Sequence, residues 1–121
     1  MRPCRILFVD DSPVARAAAT RLLAARGLSV TALASSAEAK GVDPSEFSAA
    51  LLDIELGDGL GTEIAERLRQ AAPALPIAFL TAGGPAKVLD LARRIGPVFS
   101  KTSGVEDAVH WIAEAAHLLG G

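Results

Sequence analysis

Arg5-Ile6-Leu7-Phe8-Val9-Asp10-Asp11-Ser12-Pro13 is the stretch from which the fold is read. Its apolar run shows no polar alternation and stops at two adjacent carboxylates, as in a strand buried on both faces of a parallel sheet. Ser12 suits an N-cap and Pro13 the first helical position. A helix is therefore predicted from here through Val14 to about Arg26, with Val14, Ala18, Leu22 and Ala25 on one face. Gly27 then supplies a left-handed stop. Strand, acids and capped helix make one β–α unit with its polar chemistry at the strand's carboxyl end.

Further units follow on either side of Asp53. Ser29–Leu33 reads as a second, weaker strand, and Ser36–Lys40 as a short helix stopped by Gly41 and Pro44. Ala49–Leu52 runs straight into Asp53 as a third buried strand. Gly57-Asp58-Gly59 with Gly61 reads as a flexible loop, and Thr62–Gln70 as a helix with Ile64, Ala65 and Leu68 inward. Pro76–Leu80 is a fourth strand ending at Thr81, and Gly83-Gly84-Pro85 leads into a helix over about Ala86–Ile95 that Gly96-Pro97 terminates. Val98-Phe99-Ser100 is a fifth strand, ending at Lys101. Ser103 and Glu106 match a capping box for a last helix that buries Val105, Val109, Ile112, Ala116 and Leu119. Strand–helix alternation of this kind predicts an α/β domain: a parallel sheet with helices on both faces and right-handed crossovers.

The 121 residues allow one domain, 1–121 with a core of about 3–119. Hydrophobic residues make up 50% of the chain and charged residues 21%, which excludes a disordered, charge-rich tail. Twelve Lys+Arg against fourteen Asp+Glu leave no basic surface to drive nucleic-acid binding. Mean hydropathy is +0.35, yet every apolar run is interrupted too soon to span a bilayer, so no membrane contact is expected. The N-terminus lacks the cleavage pattern of a signal peptide, and the lone Cys4 favours a reducing compartment; the predicted location is cytoplasmic. Cys4 is expected to be inert, His110 and His117 to lie on the surface, and Trp111 to be packing.

Asp10, Asp11, Asp53, Thr81 and Lys101 all fall at strand carboxyl ends, the edge where open α/β sheets bind ligands. Like-charged carboxylates near 4 Å repel by about 4 kcal/mol per pair at an effective dielectric of 20. A neutralising cation is therefore expected, and an all-oxygen donor set suits Mg²⁺ or Mn²⁺ better than Zn²⁺.

Val-Asp10-Asp11-Ser-Pro, Leu-Leu-Asp53-Ile-Glu-Leu-Gly-Asp-Gly-Leu-Gly, Phe-Leu-Thr81-Ala82 and Phe-Ser-Lys101 together resemble the receiver domain of two-component response regulators, along essentially the whole chain. The resemblance implies a flavodoxin-like (βα)₅ fold with strand order 2-1-3-4-5. It implies that Asp53 accepts a phosphoryl group from a phosphohistidine of a sensor kinase or phosphotransfer protein, in a two-component pathway or phosphorelay. Asp10, Asp11, Asp53 and the backbone carbonyl of Glu55 would hold Mg²⁺, while Thr81 and Lys101 would contact phosphoryl oxygens. The protein would then be a signalling switch that assists its own phosphorylation and dephosphorylation, not a turnover enzyme. The resemblance leaves oligomeric state open, and with it the choice between a stand-alone receiver and one cut from a longer chain.

Three departures from the family pattern bear on signal output. Val98 stands three residues before Lys101, where many members carry an aromatic switch residue, and Phe99 should face the opposite side of its strand. Thr102 follows Lys101 where Pro is common. The short Pro-Val-Phe-Ser-Lys101 segment is similar to receivers of hybrid sensor kinases. Movement on phosphorylation is accordingly expected in the 57–61 and 83–84 loops. A haloacid-dehalogenase-type phosphohydrolase would need Asp and Thr where Glu55 and Gly57 stand, and Asp10-Asp11 would repel a flavin phosphate. A receiver-like interaction module that is never phosphorylated is the remaining alternative, and the full set of site residues counts against it.

Overall fold

The computed structural model describes residues 4–120, with side chains through residue 117. Strand β1 (Arg5–Val9) is followed by α1 (Pro13–Ala25), whose cap Ser12 accepts a hydrogen bond from the Ala15 N–H. Gly27 stops it at φ 79°, a left-handed conformation that costs glycine nothing. Next come β2 (Ser29–Leu33), α2 (Ser36–Ala39), a 3₁₀ turn (Pro44–Glu46) and β3 (Ala49–Asp53). A two-stranded antiparallel hairpin, β4 (Glu55–Leu56) with β5 (Gly59–Leu60), leads into α3 (Gly61–Ala71). The chain closes with β6 (Ile77–Thr81), α4 (Ala86–Ile95), β7 (Val98–Ser100) and α5 (Val105–Gly120).

Five of the strands form one parallel sheet in the order β2-β1-β3-β6-β7, which is the expected 2-1-3-4-5 arrangement counted over the main strands. Side chains alternate across it. Ile6, Phe8, Leu51 and Leu80 pack with Leu23 of α1 and Ile112 of α5 on one face. Leu7, Val9, Leu52, Ile77 and Phe79 pack with Ile64 and Leu68 of α3 and Ala92 of α4 on the other. No helix among the described residues is long and apolar enough to cross a membrane.

Several local expectations are corrected. Helix α1 buries Ala19 and Leu23, whereas Val14 is 79% exposed and Ala18 and Ala25 face solvent. Alanines lie almost all round this helix, so periodicity could not fix its buried face. The supposed flexible loop 57–61 is a hydrogen-bonded hairpin and the start of α3. Helix α5 begins at Val105 with Gly104 before it, so Ser103 is not the cap; the turn is closed by Ser100, whose carbonyl accepts from Gly104 N–H and whose hydroxyl oxygen accepts from Thr102 N–H. Val105 is half-buried, Val109, Ile112 and Ala116 are buried, and Leu119 has its side chain outside the described residues. His110 and His117 are exposed, and Trp111 is half-buried against the α1/α5 core, as expected.

Candidate functional site

The parallel register brings the carboxyl ends of β1, β3, β6 and β7 to one edge, and the polar residues follow. Asp10 is fully buried just after β1. Its Oδ1 accepts from the Ser12 N–H at 2.9 Å, and its backbone carbonyl accepts from Arg16 Nη1 at 2.8 Å. Asp53 ends β3 at 3% exposure, with Oδ1 accepting from the Glu55 N–H at 3.3 Å. Asp11 stands exposed at the mouth, and the three acids each offer an oxygen within 4.8 Å of the others.

Lys101 reaches into this cluster from the end of β7. Its own N–H donates to the Thr81 carbonyl at 2.9 Å, which pins the base of the side chain to β6. Its Nζ donates to Asp53 Oδ2 at 2.9 Å and to Asp10 Oδ1 at 3.2 Å. Burial by itself would lower the Lys101 pKa, but the bonds and charges of Asp53 and Asp10 outweigh it and hold the ammonium above its ordinary value. For Asp53 burial wins: it pushes the carboxyl up to about 6, with the charges of Asp10 and Asp11 adding to it and Lys101 opposing it. One ammonium paired with two of the three clustered acids leaves negative charge uncompensated.

That deficit, and one orphaned atom, make the pocket fit a cation. Asp10 Oδ2 lies 3.1 Å from Lys101 Nζ as an ion pair, yet it is buried and receives no hydrogen bond, while the same ammonium serves Asp10 Oδ1 and Asp53. A buried carboxylate oxygen without a donor is costly. A hard, oxygen-seeking ion would satisfy it, and Asp11 is exposed to the solvent from which Mg²⁺ keeps its waters.

Two of the sequence-predicted residues are placed nearby without joining the cluster. Thr81 ends β6 half-buried, but its hydroxyl donates to the Gly83 carbonyl at 2.8 Å and accepts from the Gly83 N–H at 3.0 Å, closing its own turn. Glu55 binds Asp53 through its N–H, while its carboxylate lies over Gly84. Val98 packs toward α3 and α4 and Phe99 toward α1 and α5, on opposite sides of β7 as alternation requires.

Three contributors were not singled out from sequence. Arg16 holds the peptide between the two acids. Gly61 packs so closely on β3 that a Cβ would overlap the Asp53 carbonyl oxygen. Asp58 ties the hairpin to α2. The signal available was the Gly-Asp-Gly-Leu-Gly run, whose glycines mark close backbone approach as readily as flexibility.

A family model described as the response regulator receiver domain matches residues 6–112. No curated protein is matched by the chain. Among solved structures, the chain is similar to a CheY-like response regulator receiver domain protein from Methanospirillum hungatei JF-1, at 23% identity over 98% of both chains and a TM-score of 0.82. It is similar to the signal receiver domain of a modulated diguanylate cyclase from Desulfovibrio desulfuricans G20, at 27% identity over 98% of both chains and a TM-score of 0.81. The beryllofluoride-activated NtrC4 receiver domain dimer is also similar, at 21% identity over 95% of this chain and 98% of that one, with a TM-score of 0.81.

Proposed function

The chain belongs to the response regulator receiver family, whose role is phosphoryl-accepting signalling, and on that premise we propose that Asp53 accepts the phosphoryl group from a phosphohistidine. The observation that carries this reading is Asp53 itself: nearly buried, bonded to Lys101, and within 4.8 Å of the Asp10 and Asp11 oxygens.

In the transfer, an Asp53 carboxylate oxygen attacks phosphorus while the P–N bond of the donor breaks. The electron pair leaves with the imidazole, so Asp53 becomes an acyl phosphate and the donor histidine is released. With a carboxyl near 6, Asp53 is mostly in its nucleophilic, ionised form at neutral pH. Lys101, already on Asp53 Oδ2, is positioned to follow charge onto the phosphoryl oxygens. Asp10, Asp11, Asp53 and the Glu55 carbonyl would hold Mg²⁺, which when bound supplies charge neutralisation at the transferring group. Thr81 would first release Gly83 and then donate its hydroxyl to a phosphoryl oxygen.

The donor is a histidine kinase or histidine phosphotransfer protein, and the exchange takes place in the cytoplasm. The domain acts as a switch and not as a turnover enzyme. Intact mass after incubation with acetyl phosphate and Mg²⁺ tests the assignment. One added phosphate is expected on the wild type and none on Asp53→Asn or in EDTA. Undiminished labelling of Asp53→Asn would remove Asp53 from the role.

A further inference from the structure

The hairpin β4–β5 touches the acidic pocket on one side and α2 on the other. Toward the pocket, Glu55 N–H donates to Asp53 Oδ1 at 3.3 Å. Gly57, in its turn, lies so near the mouth that a Cβ there would come within 3.8 Å of Asp11 Oδ2. Toward α2, Asp58 accepts from two consecutive amides, Ser36 N–H on Oδ1 at 2.9 Å and Ala37 N–H on Oδ2 at 3.0 Å. Those bonds hold the Asp58 carboxyl below its usual range. Gly59 also sits against Ser36, where an added Cβ would meet Ser36 Cβ and Oγ at 3.1 Å.

Helix α2 has four residues, too few to hold itself together once the cost of nucleation is counted. Its first amides rely on Asp58, and its Glu38 N–H on the Ser35 hydroxyl. At its other end Arg67 of α3 donates to the Ala39 and Lys40 carbonyls. The only bonds that link it to the β4–β5 hairpin, among the described residues, are therefore those of Asp58. We propose that Asp58 is a latch through which an ordered α2 and a cation-filled acidic pocket stabilise each other. Settling the hairpin on the pocket holds Asp58 over Ser36 and Ala37, and an α2 held there keeps the hairpin seated beside Asp11 and Asp53. Binding linkage makes the effect equal in both directions. This inference rests on the reading of the pocket as a Mg²⁺ site, and it puts a readout of pocket occupancy on α2.

The experiment pairs calorimetric Mg²⁺ titration with amide hydrogen exchange at Ser36 and Ala37, on the wild type, Asp58→Asn and Asp58→Ala. In the wild type, saturating Mg²⁺ slows exchange of both amides at least fivefold, the lower end of ordinary coupling. In Asp58→Ala the slowing is lost and the Mg²⁺ Kd rises by the same factor; Asp58→Asn, which keeps one acceptor oxygen, falls between. A merely structural role for Asp58 would speed exchange in the variants without making it respond to Mg²⁺ in the wild type, and that result overturns the latch. Equal Mg²⁺ Kd values in wild type and Asp58→Ala overturn it too, while leaving the metal site standing. Failure of the wild type to bind Mg²⁺ at all would remove the metal site and the latch with it.

Discussion

Replacing Asp53 by Asn should stabilise the apo protein at neutral pH, by an amount that follows from the carboxyl's environment. Its pKa is 3.8 in the absence of structure and about 6 in the fold, raised first by burial and then by Asp10 and Asp11 against the pull of Lys101. Because the folded value is the higher one, the folded state holds its proton more tightly. The resulting stability is whole below pH 3.8 and is lost as pH rises through about 6. The full loss is about 3 kcal/mol at pH 7.5, about half of it already present at pH 5. Asn approximates the neutral acid in shape and hydrogen bonding, so Asp53→Asn escapes this loss. Urea unfolding in EDTA should show the variant more stable by about 3 kcal/mol at pH 7.5, or about 12 °C in Tm. The advantage should shrink to a few tenths of a kcal/mol near pH 4. Added Mg²⁺ should narrow the gap at pH 7.5, since the wild type binds the ion more tightly. A variant no more stable than wild type at pH 7.5, or equally advantaged at pH 4 and 7.5, would refute the reasoning.

Lys101→Met strips the ammonium from two buried carboxylates and should cost about 3–5 kcal/mol in EDTA at pH 8, with Mg²⁺ at a hundred times its Kd returning about 2.7 kcal/mol in thermal melts. Gly61→Ala, whose Cβ would overlap the Asp53 carbonyl oxygen, should destabilise by about 1–3 kcal/mol in urea and slow labelling by acetyl phosphate, because the strand end carrying the acceptor must shift. Adding beryllofluoride and Mg²⁺ should displace the backbone amides of residues 57–61 and 83–84, with the ring of Phe99 staying in the α1/α5 core; a large movement of that ring toward Thr81 in NMR spectra would contradict this.

What the sequence by itself determined was the architecture and the polar edge. Runs such as Arg5–Val9 and Ala49–Asp53 have no polar alternation, so they had to be buried on both faces, and the first leads into Asp10 while the second ends in Asp53. Asp10, Asp11, Asp53 and Lys101 were legible because strand carboxyl ends in a parallel sheet all meet on one side. Tertiary structure decided the rest, wherever the deciding partner was distant in the chain or the local pattern was degenerate. An alanine-rich α1 could turn almost any side inward, and contact with the sheet and α5 selected Ala19 and Leu23. Gly57–Gly61 carries three glycines and an aspartate and so reads as a loop, until Asp58 finds the amides of Ser36 and Ala37 and Gly61 meets the Asp53 carbonyl. Thr81 is legible as the end of a strand and, by the resemblance, as a phosphoryl contact, but its present bond to Gly83 depends on the turn that the positive φ of Gly83 allows. Periodicity reports which residues are apolar and how they are spaced; which carboxylate oxygen is left without a donor, as Asp10 Oδ2 is, follows only from where Lys101 lands.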